Sequence, residues 1–130
     1  MTVQWSLVLA IAAGGALGAV ARFLAMSAAG HWLGHGFPWG TLLVNVAGSF
    51  ALGILVEIMA LTWQPAAEIR AFLVVGLLGA FTTFSTFSLD VFVLAEGGAR
   101  SAALGYILAS VCLSVLGLFL GLRAGRLMLG

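Results

Sequence analysis

Five hydroxyl side chains fall within the seven residues from Thr82 to Ser88, inside the otherwise apolar stretch GLLGAFTTFSTFS (Gly76–Ser88). Hydroxyls donate hydrogen bonds without carrying a fixed charge, so a row of them can hold an anion and still release it. The two residues between them, Phe84 and Phe87, lie three positions apart and share a helix face. Phenylalanine edges carry partial positive charge and can face an anion while keeping its path narrow and dry. Two further polar stripes repeat every four residues: Thr41, Asn45 and Ser49, then Tyr106, Ser110 and Ser114. The amide of Asn45, about 9 Å along a helix from Trp39, needs partners at that depth. Those are either a neighbouring helix or a permeating anion that takes its N–H.

Enzymatic chemistry finds no comparable footing. His31 and His35 have a four-residue spacing that would suit a metal on a helix, but Gly30, Gly34 and Gly36 oppose a helix there. No acidic or cysteine ligand is nearby, so they read as two interfacial histidines. Glu57 and Asp90 stand singly, without the cluster of nucleophile, base or metal ligands that catalysis needs. Cys112 lies alone in an apolar run and serves packing.

The elements that position these residues follow from composition. Only 7% of the residues are charged and 63% are hydrophobic, against about 25% charged in a soluble domain. Such a chain cannot cover a water-facing surface and belongs in a membrane. A net charge of +1 offers no basic face for nucleic acid. Residues 1–130 read as one all-α transmembrane domain with spans at about 6–29, 40–62, 71–94 and 102–122. Before the first span there is no Arg or Lys, and its apolar core is too long for a cleavable signal.

Ala10, Gly14 and Gly18 form a flat stripe suited to close helix contact, and Gly117, Gly121 and Gly125 form another. Arg22 extends the first stripe; it either snorkels to the interface or draws anions to a hydrated entrance. Trp39 and Trp63 bracket the second span as interfacial aromatics. A short loop with Pro65, Glu68 and Arg70 leads to the third span, where Gly76 and Gly79 weaken the helix ahead of the hydroxyl run. The third span is therefore expected to break near its middle and to line something polar, since irregular backbone survives at membrane depth only where it is buried or faces a cavity.

With four spans, Arg70, Arg123 and Arg126 fall on one side and Arg22 and Arg100 on the other. Three against two gives the positive-inside rule almost nothing to act on. Insertion in both orientations, and from it an antiparallel homodimer, is the expected consequence. A four-helix multidrug antiporter would need a carboxylate within the first span, and none of the acidic residues lies there.

GGALGAVARF (Gly14–Phe23), WGTLLVNVAGSF (Trp39–Phe50) and GLLGAFTTFSTFS resemble the three signature segments of the bacterial Fluc/CrcB fluoride channel family. Length, span number and motif order match along the whole chain. The resemblance implies a dual-topology homodimer in the bacterial inner membrane that exports fluoride passively through two pathways and protects the cell from its toxicity. It also implies a structural Na⁺ on the dimer axis, held by the backbone carbonyls of Gly79 and Thr82. By position, Phe84 and Phe87 match the pore phenylalanines, Asn45 the fluoride-facing amide and Arg22 the vestibule arginine. Ser85, Thr86 and Ser88 match the hydroxyl track, with Thr41, Tyr106 and Ser110 along the route. Two departures, Asp90 where Glu is common and Phe23 where Tyr or Trp is common, are expected to lie outside the pore chemistry.

Overall fold

A computed structural model of the chain describes residues 2–130. Among them, four helices are long and apolar enough to cross a membrane: Trp5–Leu33, Trp39–Leu61, Ala67–Glu96 and Arg100–Leu129. At 1.5 Å per residue each exceeds the roughly 30 Å of bilayer hydrocarbon. The protein is an all-helical, multi-pass membrane protein. Large apolar side chains such as Leu9, Phe23, Phe92, Leu104 and Phe119 are exposed, as befits a surface solvated by lipid.

The helices run past the apolar cores legible in the sequence. The first span continues through Gly30 to Leu33 and stops at Gly34, whose φ of +83° is the left-handed conformation glycine tolerates. His31 is consequently on a helix and His35 in the turn beyond it, rather than both in a loop. The expected loop around Pro65–Arg70 is already helical from Ala67, with Glu68 in the first turn and Arg70 in the last. Glu68 complements the positive end of the helix dipole, whereas Arg70 is followed without a break by the rest of the span.

Glycine fixes how the spans meet. The first span packs on the first half of the third, and the second packs extensively on the fourth. A Cβ on Gly14 or Gly18 would collide with the backbone carbonyls of Phe72 and Leu77, and one on Gly76 would sit 2.7 Å from the Ile11 carbonyl. Gly53 and Gly121 face each other in the same manner between the second and fourth spans. Gly76 therefore serves close approach rather than helix weakening, which corrects the reading from its position ahead of the hydroxyl run.

The interruption of the third span is two residues long. Residues Ala71–Leu78 wind as a π-helix and Gly79–Phe81 as a turn of α-helix. Thr82 (φ −89°, ψ 159°) and Thr83 (φ −152°, ψ 123°) are then extended, and the helix resumes at Phe84–Glu96. The axis bends only slightly across this gap. Beyond it, Phe87 joins Leu42 and Tyr106 in the buried core, where the second, third and fourth spans converge.

Candidate functional site

Two extended residues in apolar surroundings leave backbone groups that must find partners. Asn45 meets this need from the second span. Its Nδ2 donates to the Thr83 carbonyl at 3.0 Å, and its Oδ1 accepts from the Thr83 N–H at 2.7 Å. The amide thus acts as a surrogate strand partner for one residue, and one of its two N–H groups remains beyond that pairing. Thr83 also caps the second half of the helix, its Oγ1 accepting from the Thr86 N–H at 3.2 Å. Arg22 reaches across from the first span and donates from Nε to the Ala80 carbonyl at 3.0 Å. The arginine thereby stabilises the end of the first half-helix with a charge-assisted bond.

These diversions have a consequence for two other carbonyls. In an unbroken helix the N–H of Thr83 would bond the Gly79 carbonyl, and that of Thr86 the Thr82 carbonyl. Both donors instead serve side chains. Gly79 and Thr82 are left with carbonyl oxygens that no N–H from the following turn takes up.

Beside the gap lies a groove of about 330 Å³, open along one side. Asn45, Gly48 and Ser49 line it from the second span, Thr82, Thr83, Phe84 and Phe87 from the third, and Ser110 and Ser114 from the fourth. No charged side chain is among its lining residues. Each of the three polar stripes of the sequence thus contributes two or more residues to one surface, while Thr41 and Tyr106 lie apart from it. Phe87 is buried and stacks on Tyr106 at 5.2 Å between centroids, whereas Phe84, 5.3 Å from Phe87, is 76% exposed. Ser110 is 6% exposed, and its Oγ has no hydrogen-bond partner. A buried hydroxyl left without a partner costs about 1–3 kcal/mol, so Ser110 has a proton to offer a group in the groove, with the Tyr106 hydroxyl as its neighbour inside the chain.

Other predicted donors have local attachments. Thr82 Oγ1 and Ser88 Oγ donate back to the Leu78 and Phe84 carbonyls, at 3.1 and 2.9 Å. Ser85 shares a 3.3 Å hydrogen bond with Thr83. Ser85, Thr86 and Ser88 do not line the groove, because successive helical residues are about 100° apart and five hydroxyls cannot occupy one face. Ser85 and Ser88 are exposed on the outside of the single chain.

Thr41 and Tyr106 form a second assembly. Thr41 Oγ1 donates to Asp90 Oδ2 at 2.7 Å, and the Tyr106 hydroxyl donates to the same oxygen at 2.9 Å. Thr41 is 2% exposed and Tyr106 fully buried. Asp90 is therefore in direct contact with two residues of the expected route, contrary to the expectation that it lies outside the pore chemistry. The reason is general: a carboxylate within a span must collect donors. Its place, one helical turn beyond Phe87, was the available signal.

The family described as CrcB-like protein, Camphor Resistance (CrcB), matches residues 9–122. The chain is 61% identical over 120 residues to the fluoride-specific ion channel FluC of Rhodospirillum centenum, covering 92% of this chain and 95% of that one. It is 61% identical over 113 residues to the protein of the same name from Chelativorans sp., covering 87% and 90%. The corresponding protein of Nitrobacter winogradskyi is 50% identical over 123 residues, covering 95% and 98%.

Proposed function

This chain belongs to the CrcB-like protein family, whose relatives named above are ion channels and not enzymes, and from that membership we propose that it is a fluoride-selective channel exporting cytoplasmic fluoride by passive electrodiffusion. The observation that carries the reading is the groove at the interrupted third span, uncharged throughout and holding the unpaired, buried Ser110 hydroxyl beside Phe87. Fluoride is small and holds its water tightly, so a selective path must replace that water with closely spaced donors. Ser110, Ser114, the second N–H of Asn45 and the Thr83 hydroxyl supply donors along the groove without a charge that would trap the ion. Phe84 and Phe87 keep the passage narrow and present ring edges.

A functional unit is an antiparallel homodimer with two such paths, in the bacterial inner membrane. One side of the groove is open, and Phe84, Ser85 and Ser88 are exposed near the break. A second copy would close the groove and bring these residues into the paths. The carbonyls of Gly79 and Thr82 suit a hard monovalent cation such as Na⁺, since they are oxygen donors released from helical bonding. When bound, that ion would tie the two copies together and favour an anion nearby. Arg22 would stand at the vestibule while holding the Ala80 carbonyl.

Passive flow suffices for export. An inside-negative potential of about 100 mV is worth about 2.3 kcal/mol per charge, roughly a 50-fold outward bias for an anion. The test is fluoride efflux from K⁺-loaded liposomes holding the purified protein. An uncoupled channel releases fluoride only once a K⁺ ionophore balances the charge. Full-rate release without the ionophore, or none with it, would refute electrodiffusion.

A further inference from the structure

A second cavity, of about 310 Å³, lies between the 34–38 turn and the end of the third span. His35, Phe37, Thr41, Asp90 and Val93 are among its lining residues, and Asp90 and His35 are its ionisable members. Only one layer of side chains separates it from the groove. Tyr106 packs at a tilt against Phe87 of the groove at 5.2 Å and edge-on to Phe37 of this cavity at 5.4 Å, and its hydroxyl bonds Asp90. An ion passing beyond Phe87 on this side would meet the Thr41–Tyr106–Asp90 cluster and then this space.

His35 is exposed at the rim of this cavity. Gly34, at φ +83°, turns the chain back after the first span, and the imidazole rests on the Gly30 backbone. A Cβ on Gly30 would come 2.6 Å from His35 Cε1, so the ring would have to move aside for any larger residue there. His31, one turn earlier, stands edge-on to Trp32 at 5.5 Å and is not part of the lining. Among the described residues, neither the second nor the fourth span adds an ionisable group to this cavity.

We infer that this cavity is one mouth of the ion path and that His35 is the residue setting its charge. Asp90 alone makes the mouth repel anions. An imidazolium on the same small cavity offsets that charge and raises the local anion concentration, as a charged cleft does for any small ion. Histidine is the side chain whose charge changes within the ordinary physiological pH range, so capture at this mouth becomes responsive to proton concentration. The inference rests on the fluoride reading, and its test separates the two.

The experiment measures fluoride efflux from liposomes carrying the full chain, wild type against His35→Lys, His35→Gln and His35→Glu, at pH 6 and pH 8. Protein-free liposomes give the leak of the neutral acid, which is subtracted. The expected order at pH 8 is Lys fastest, Gln and wild type together, Glu slowest, with several-fold separation between the extremes. At pH 6 the wild type rises above the Gln variant, which does not move. Gly30→Ala, which displaces the ring without removing it, should reduce the wild-type pH response. Gel filtration matching wild type checks the fold of each variant. Equal efflux in all variants at both pH values overturns the role of His35 and leaves the channel reading intact. No efflux from the wild type overturns both.

Discussion

Ser110 separates a structural from a functional use of the polar stripes. Its hydroxyl is buried and lacks a well-aligned hydrogen-bond partner, so removing it should cost the fold little and relieve a desolvation penalty of about 1–3 kcal/mol. Ser110→Ala is expected to keep or raise the melting temperature while lowering fluoride flux at least several-fold. Lower stability with normal flux would mean that the hydroxyl belongs to the fold. Phe84 and Phe87 differ in burial, 76% against 8% exposed, yet the account gives both the same function. Phe84→Ile and Phe87→Ile should each abolish flux in a protein that still elutes as a dimer. Loss in Phe87→Ile alone would assign Phe84 to lipid contact. At this scale the sequence was informative about residue types and silent about their partners. Nothing in a four-residue spacing says that Thr41 and Tyr106 converge on Asp90, because that requires three helices to meet.

The third span is the element on which the site depends, and its interruption is stabilised from outside. Asn45 satisfies both backbone polar groups of Thr83, so Asn45→Ala would leave a donor and an acceptor unpaired in apolar surroundings, each costing about 1–3 kcal/mol. The expected result is a clear drop in melting temperature together with lost flux; unchanged stability would show that the gap closes into a regular helix without the amide. An interruption here was expected from Gly76 and Gly79 ahead of the hydroxyl run, and it falls at Thr82–Thr83, where the Thr83 side chain caps the helix that follows. Its cause was not legible. Gly76 looked like a weak point and is a contact with the first span, because a glycine reads alike whether its missing side chain admits a bend or a neighbour. Four spans and their order could be read from hydrophobic length alone, whereas their ends could not, since helices continue into the interface where composition is mixed.

A single chain leaves the groove partly open and Phe84 uncovered, and its few arginines are expected to give little bias between the two sides of a membrane. The proposed pairing of two oppositely oriented copies would cover the first and is permitted by the second. Chemical crosslinking of cysteines placed near the break should trap dimers, and gel filtration in detergent should give no stable monomer. The Arg126–Glu57 pair at 2.9 Å has an arginine 65% exposed and contributes little to this, about 0–1 kcal/mol. The whole account reduces to an uncharged, narrow row of donors and ring edges that strips water from one small anion and refuses larger ones. Paired recordings of fluoride and chloride efflux from the same liposomes test it most directly. The account predicts rapid, complete release of fluoride with chloride retained; comparable release of both ions, or of neither, would contradict it.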